Sequence, residues 1–384
     1  MKRKIYVIVA LSFIASPDIW AISPGEYDVP VSTAQQLRLG GTYAYSASGG
    51  NTQTNDGAVS MTYNRYFNSL PYAWDINFHG FGSTRRTGEG VQENIINLVA
   101  GPGVRKYFNT ERDIFYSGDL RATANSDFER PTIEITPGIG YGRFIRVTPL
   151  AQALRIQEFL LDEGVIMTQL PDDTLIELAQ VLERQGEFET EFGDRYKVKW
   201  FEAMENVIAD SGLFTGEGLG AVGSLRIDEV LFQEHVNERF VGWDVRTGIR
   251  FEVLTRDSRT ERQDPGLSLL FRYSRPAGWR SQFDVSVQYA SPFSGDFGTD
   301  IFTFSSSLNY LYEVTNRIDF TVSNIVVAAR SVPDIPASVV GQIRSGFIFF
   351  IENQVNLNVT GTYSKERGAD PALGLNLALE YRLR

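Results

Sequence analysis

The last stretch of the chain, Pro371 to Arg384, alternates strictly between large apolar residues and small or polar ones. From Leu373 every second residue is apolar, ending with Tyr381 and Leu383. Because successive side chains of a β-strand point to opposite faces, this period of two places the apolar residues on one face of a strand. The same alternation recurs along most of the chain, which predicts a mainly β protein built from amphipathic strands.

Thirteen earlier segments show the pattern, so the sequence predicts about fourteen strands, with twelve to sixteen also compatible. An even number is expected for a single-chain bacterial barrel. The segments are 36–46, 58–67, 72–80, 93–108, 114–123, 132–144, 240–253, 267–274, 282–289, 301–312, 318–328, 339–351 and 355–363. The predicted connections between successive strands alternate between long and short. The long ones, of which Gly49–Gly57 is the first, lie at the end of the barrel opposite the two chain termini.

The N-terminus has the features of an export signal. Lys2, Arg3 and Lys4 precede the apolar run Ile5–Ala15, and we expect cleavage after Ala21. No later run is long enough to cross a bilayer as a helix. An exported chain of alternating strands favours a barrel whose apolar face meets lipid.

The C-terminal strand resembles the closing strand of bacterial outer-membrane β-barrels, the porin-like superfamily, which their assembly machinery reads. The matching positions are Asn376, Ala378, Tyr381 and Leu383. The chain departs from the pattern in having Ala378 where Gly is usual, Leu383 where Phe is usual and an extra Arg384. The resemblance implies a transmembrane antiparallel barrel in the outer membrane of a Gram-negative cell, with membrane lipid and the barrel-assembly machinery as partners.

Two Pro-Gly words lie inside predicted strands, Gly101-Pro-Gly-Val104 and Thr136-Pro-Gly-Ile139. Proline removes one ladder hydrogen bond, so each word predicts a bulge or a locally unpaired strand. The glycines can alternatively leave room for something in the lumen.

Alternation stops between Thr148 and His235, where the apolar spacing becomes helical. The chain thus divides into a signal peptide (1–21), a first barrel part (22–147), a helical insertion (148–235) and a second barrel part (236–384). Thr148-Pro149 is predicted to cap the first helix. The insertion follows the sixth strand, which places it in the periplasm or folded back into the lumen.

The insertion is strongly acidic, and its charge can be read in two ways. From Thr148 to Gly212, fourteen acids and five bases give −9 of the chain's net −11. A solvated helical surface explains this charge. The alternative is a docking surface for a basic periplasmic protein or an electrostatic filter below the pore.

The inner face of the predicted strands carries charges of both signs. They form either a paired network that fills the barrel or a field that lines an aqueous pathway. The candidate lumen residues are Arg38, Asp75, His79, Asp119, Arg121, Glu134, Asp244, Arg246, Arg250, Arg272, Asp284, Asp319, Arg344, Glu380 and Arg382.

Composition argues against several classes of function. There is no cysteine and there are only two histidines, so neither a metal site nor a cofactor is expected. The acidic balance without a basic stripe argues against nucleic acid. Asp75, Asn77 and His79 share one strand face, but no nucleophile-elbow motif occurs, so we expect no enzyme.

The leading hypothesis is passage of small polar solutes, with the insertion as a possible gate or plug. A non-conducting scaffold whose insertion docks a partner protein is the alternative. A barrel enzyme is the third hypothesis, and it depends on His79 alone.

Overall fold

In a computed structural model the chain forms a closed, fourteen-stranded antiparallel β-barrel with a helical insertion between the sixth and seventh strands. The structure describes residues 31–48, 51–69, 71–86, 92–109, 112–234, 236–258, 261–295, 297–352 and 355–383. The proposed signal peptide, His235 and Arg384 lie outside these residues. The strands are β1 Val31–Ser48, β2 Asn51–Ser69, β3 Tyr72–Arg86, β4 Gln92–Asn109, β5 Arg112–Asn125, β6 Thr132–Arg146, β7 Phe240–Leu254, β8 Gly266–Pro276, β9 Ser281–Pro292, β10 Phe302–Thr315, β11 Ile318–Arg330, β12 Ser338–Glu352, β13 Val355–Glu366 and β14 Ala372–Leu383.

The two ends of the barrel differ in their connections. The end at which β6 stops and β7 starts, here called the insertion end, has turns of two to four residues between the other strands. Most connections at the opposite end, the loop end, have five to eleven residues. The predicted Gly49–Gly57 loop is wrong, because β2 already begins at Asn51 and its pairing with β1 continues past a bulge after Ser46. Polar residues there extend the hairpin beyond the apolar band.

The outside of the barrel is apolar, as the alternation predicts. In β7, Val245, Ile249 and Phe251 are exposed, whereas the intervening Asp244 and Arg246 are buried. Outward aromatic pairs cluster towards the insertion end: Phe67 with Trp74, Phe108 with Tyr116, Tyr141 with Trp243, and Phe320 with Phe347. An apolar band edged by an aromatic girdle is typical of strands that face lipid.

Both Pro-Gly words interrupt the ladder on one side, as predicted. Pro102 pairs with Ile76 of β3, but the β4–β5 ladder has no pairs at Gly101 and Pro102. Pro137 pairs with Gly118 of β5, and the β6–β7 ladder has none at Thr136 and Pro137. Proline has no N–H to donate, so each strand keeps one neighbour and locally loses the other.

The insertion contains five α-helices and two short irregular turns. They are α1 Thr148–Asp162, α2 Asp172–Glu183, α3 Gln185–Phe192, a 3₁₀ turn Gly193–Arg195, α4 Tyr196–Asp210, α5 Gly220–Asp228 and a π-helical turn Glu229–Gln233. Leu150, Leu160, Leu178, Trp200 and Met204 are among the residues of its hydrophobic core. In the described part of the chain, no helix combines the length and apolarity needed to span a bilayer.

Thr148 does not cap α1, contrary to the prediction. The N-cap is Val147, without a side-chain cap, and Pro149 lies in the first turn. The Thr148 hydroxyl instead accepts a hydrogen bond from the Arg239 backbone N–H at 2.9 Å, and Val147 N–H donates to the Arg239 carbonyl at 2.7 Å. These bonds join the two chain segments that connect the insertion to β6 and β7.

Candidate functional site in the barrel lumen

A cluster of charged side chains from β3, β4, β7 and β8 lies in the lumen towards the insertion end. Arg105 on β4 is 1% exposed and binds Asp75 at 3.1 Å and Asp244 at 3.4 Å. Arg272 on β8 donates its Nε–H to Asp244 at 2.9 Å. Asp244 therefore connects guanidinium groups from opposite sides of the inner face. Since a buried carboxylate is costly without partners, these contacts are what make its position tolerable.

Further ion pairs lie closer to the loop end. Arg246 reaches Asp119 on β5 at 3.1 Å, and Arg250 lies 3.6 Å from Glu134 on β6. Arg246 also lies 4.0 Å from Asp244, which joins the two levels. Five of the candidates, Asp75, Asp119, Asp244, Arg246 and Arg272, thus form one network with Arg105. Arg250 and Glu134 form a separate pair.

Glycines make space for this network. A Cβ on Gly103 would lie 2.7 Å from Asp119 Oδ1, and one on Gly140 would lie 2.3 Å from Cζ of Phe115. Both are below the distance at which real Cβ atoms are found, so larger residues would displace inner side chains. The glycine of the first Pro-Gly word therefore leaves room for residues of the protein itself.

Beyond the ion pairs the lumen widens into a cavity of about 260 Å³. Its charged lining includes Asp119, Arg121, Glu134, Arg246 and Arg250. The remaining lining is divided about equally between polar residues, such as Ser117, Thr136 and Gln288, and apolar ones, such as Leu270, Phe304 and Val327. Arg121 has no ion pair within the described residues, which leaves its positive charge facing the cavity.

The wall formed by β10 to β14 differs from the charged wall. Its inner positions carry mainly short polar residues, among them Ser307, Ser323, Thr360, Thr362 and Asn376. Arg344 lies between Ser323 and Thr362 in register and is exposed. No ion pair to Arg344 occurs in the described part of the chain. The lumen is therefore asymmetric, with a packed ionic wall facing a short-chained polar one.

A buried cluster attaches the insertion to the barrel. Glu313 of β10 is 2% exposed and accepts hydrogen bonds from Arg155 of α1 at 3.2 Å, Arg239 at 2.6 Å and Asn237 at 3.1 Å. Arg155 also forms an ion pair with Glu234. Burial lowers the pKa of the Arg239 guanidinium, and the adjacent Glu313 carboxylate opposes this effect.

Two further ion pairs, one exposed and one largely buried, extend the attachment around the mouth. Glu158 of α1 binds Arg280 of the β8–β9 turn at 3.0 Å, and Glu183 of α2 lies 3.4 Å from Arg146 of β6. Helix α2 also contacts β1. The insertion thus lies across the insertion end and touches strands on several sides of the ring.

Comparisons with known proteins found similarity in structure but not in sequence. No family model matches the chain, and no curated protein matches it in sequence. Solved structures similar to it include an outer-membrane channel from Pseudomonas putida F1 (8% identity, 94% of this chain and 98% of that chain, TM-score 0.34). Another is a BenF-like porin from Pseudomonas fluorescens Pf-5 (8% identity, 93% of this chain and 99% of that chain, TM-score 0.34). A third is the translocator domain of the autotransporter NalP from Neisseria meningitidis (9% identity, 92% of this chain and 88% of that chain, TM-score 0.29).

These identities and TM-scores are low, so the fold is assigned from strand pairing, closure and the apolar exterior. The fold is that of an outer-membrane β-barrel. No specific family within this class is identified.

The remaining candidate residues are dispersed. His79 lies 3.3 Å from Thr62 Oγ1, while Asp75 binds Asn77 and Arg105, so the three residues of β3 do not form a relay. Asp284 accepts hydrogen bonds from Ser274 and Gln282. Asp319 accepts one from Asn237 at 2.7 Å, beside the insertion.

The candidates at the closure of the barrel are located by register alone. Arg38 pairs with Arg382, and Gly40 with Glu380, in the ladder between β1 and β14. The residues of the proposed assembly signal lie in β14, with Tyr381 opposite Leu39 and Leu383 opposite Leu37. Recognition of this strand by assembly machinery remains a prediction.

Four charged residues of these clusters are not among the candidates predicted from the sequence: Arg105, Arg155, Arg239 and Glu313. For two of them a signal was available. Arg105 has the same parity as Gly101 and Gly103 on β4, and Glu313 the same parity as the inner residues of β10. Arg155 and Arg239 lie outside the strands, where alternation gives no information.

Proposed function

We propose that this protein is an outer-membrane channel for small polar solutes, and that its helical insertion restricts the periplasmic mouth. The insertion end then faces the periplasm and the loop end faces the outside. The apolar exterior with its aromatic girdle and the asymmetry between long loops and short turns support this orientation.

The asymmetric lumen is the observation that carries the proposal. Short polar side chains on β10 to β14 leave space beside the ionic wall, and a cavity of about 260 Å³ is lined by residues of β5 to β11. A solute that moves along this space meets hydroxyl and amide groups, together with Arg121 and Arg344, which have no ion pair among the described residues. Such a lining favours small polar solutes over large or apolar ones.

Contacts of the insertion with β1, β6 and the β8–β9 and β10–β11 turns support a restricting role. Its attachment through the buried Glu313 cluster favours a fixed constriction over a freely moving gate, because separating buried ion pairs is costly.

Single-channel conductance in a planar bilayer tests the proposal. The full protein is compared with a variant in which a short turn replaces the insertion. This variant is feasible because Arg146 and Phe240 already pair across β6 and β7. We expect openings in both proteins and a larger conductance after the replacement. Silence from both folded barrels would contradict the channel and favour the scaffold alternative.

The scaffold alternative is supported by the acidic surface of the insertion. Several of its basic residues already bind acidic ones, as in the pairs Arg184–Glu187, Lys199–Glu202 and Arg226–Glu229. A basic periplasmic protein could then bind the remaining carboxylates, and its capture by a silent barrel would establish that function.

A further inference from the structure

The seam that closes the barrel is paired over only part of its length. Between β1 and β14 the ladder contains four residue pairs, from Leu37 opposite Leu383 to Gly40 opposite Glu380. By comparison, β1 forms eighteen pairs with β2, and β14 forms ten with β13. Both strands continue towards the loop end, but Gly41–Ser48 and Ala372–Leu379 do not pair with each other.

The exposure of the outer face of β14 reflects this separation. Leu373 and Leu375 are 85% and 77% exposed, whereas outward residues that are paired on both sides, such as Val59 and Phe347, are 62% and 43% exposed. In a paired sheet the side chains of the adjacent strand cover part of each outward residue. The first half of β14 therefore has no cover on the β1 side.

An open seam inside a membrane has an energetic consequence. Every second residue of each unpaired segment directs its N–H and C=O groups towards the missing strand. In hydrocarbon, each such unsatisfied group costs several kcal/mol. The segments are tolerated if water from the lumen, or a passing solute with its own hydration, reaches the seam. This requirement favours an opening that is continuous with the lumen.

The inner face of β14 carries mainly small side chains beside the seam. On β14 the inner positions are Gly374, Asn376 and Ala378, and no atom lies within 4 Å of a Cβ built on Gly374. No side chain therefore closes the gap from the β14 side at this level.

The lumen near the loop end also exposes apolar side chains. Phe81 shares the inner face of β3 with Asp75 and His79 and is 38% exposed. Val327 lines the cavity, is 41% exposed and pairs with Val340 of β12. Apolar surface facing an aqueous lumen is unfavourable unless something covers it. These residues lie on strands on both sides of the seam.

We propose that the unpaired half of the β1–β14 seam is a lateral portal through which small apolar or amphipathic molecules pass between the lumen and the outer leaflet of the membrane. The proposal rests on the proposed conducting lumen and adds a second route out of it. A solute would enter at the loop end, contact the apolar lumen residues, and leave sideways past Gly374 beneath the exposed leucines.

A removable cross-link across the seam tests the portal. Continuing the register of the four pairs places Ala44 opposite Asn376. Because the chain has no cysteine, the pair Ala44→Cys/Asn376→Cys gives a single disulfide once the strands meet. The control is Ala328→Cys/Val339→Cys, which cross-links two strands that are already paired.

Two probes are measured in the same Gram-negative cells, deleted for their major porins. The lipophilic dye N-phenyl-1-naphthylamine reports transfer into the membrane, and a chromogenic cephalosporin hydrolysed by a periplasmic β-lactamase reports polar flux. With the seam cross-linked, we expect dye uptake to fall to that of cells without the protein, and a reductant to restore it. Polar flux stays unchanged, and the control cross-link affects neither probe.

A second variant covers the case in which the disulfide does not form. Gly374→Trp fills the seam, and Gly341→Trp on β12 is its control, since neither glycine has an atom within 4 Å of its Cβ position. We expect Gly374→Trp alone to block dye uptake. If polar flux persists but the parent protein does not raise dye uptake, the portal is overturned. The portal is also overturned if neither seam variant lowers dye uptake. Absence of both fluxes overturns the conducting lumen itself.

Discussion

Glu313→Gln tests how firmly the insertion is attached. Glu313 is 2% exposed and contacts two buried guanidinium groups, on Arg155 and Arg239. Removing one partner of a buried ion pair typically costs about 3–5 kcal/mol. Because Arg155 keeps Glu234 and glutamine keeps one acceptor oxygen, we expect the lower end, about 3 kcal/mol. At about 1.4 kcal/mol per factor of ten, undocking becomes about a hundredfold more frequent.

Hydrogen–deuterium exchange at the junction measures this undocking. The amides of Val147 and Arg239 are hydrogen-bonded across the two connecting segments, so they exchange when the insertion separates from the barrel. We expect their exchange in Glu313→Gln to accelerate about a hundredfold, while amides in the centre of β7 keep their protection.

Glu158→Gln is the matched control. Glu158 joins the same helix to the barrel through Arg280, but both side chains are more than a third exposed. Exposed pairs contribute about 0.2–1 kcal/mol, so exchange should accelerate by less than about fivefold. Equal acceleration in the two variants, or less than about threefold in Glu313→Gln, would refute the inference that the buried cluster is the main attachment.

Three further predictions concern the barrel. Gly140→Ala should destabilise the barrel by about 1–3 kcal/mol, because the new Cβ overlaps Phe115. The temperature at which the folded barrel loses its heat-modifiable gel shift should therefore fall. Gly82→Ala is the control, since its Cβ enters open space and should leave this temperature unchanged. Asp244→Asn removes a negative charge from the lumen and should move the reversal potential in a salt gradient towards anion selectivity; an unchanged potential would exclude ions from this part of the lumen. Arg344→Glu should move it towards cations, and no movement would mean that the polar wall is not the conducting path.

Periodicity predicted the architecture because it depends on local chemistry alone. Each strand must present an apolar residue to lipid at every second position, so β7 and β14 can be predicted without knowledge of their neighbours. Helical spacing identified the insertion for the same reason. The prediction failed where the periodicity lacks information, as at Gly49–Gly57, where polar residues continue a hairpin above the apolar band.

The site was less predictable because its contacts join distant parts of the chain. Arg105 and Asp244 are separated by 139 residues, and Arg155 and Glu313 by 158. Alternation shows that a residue faces inwards, but which inner residues meet depends on barrel closure and strand stagger. The seam is a further example, because paired and unpaired halves of β14 show the same alternation.

The junction of β6 and β7 explains why one barrel can hold both a packed ionic wall and an insertion. Gly142 and Gly242 adopt φ values of +109° and +102°, and a Cβ on either would overlap a backbone carbonyl of the partner strand. These left-handed positions let the two strands approach and twist more closely than alternating larger residues allow. Asp244, opposite Gly142, thereby reaches Arg105 across the inner faces of β5 and β6, while the chain on the other side of Phe240 leads directly into the Glu313 cluster. The charged wall and the attachment of the insertion therefore depend on the same two glycines, and a larger residue at either position should disturb both.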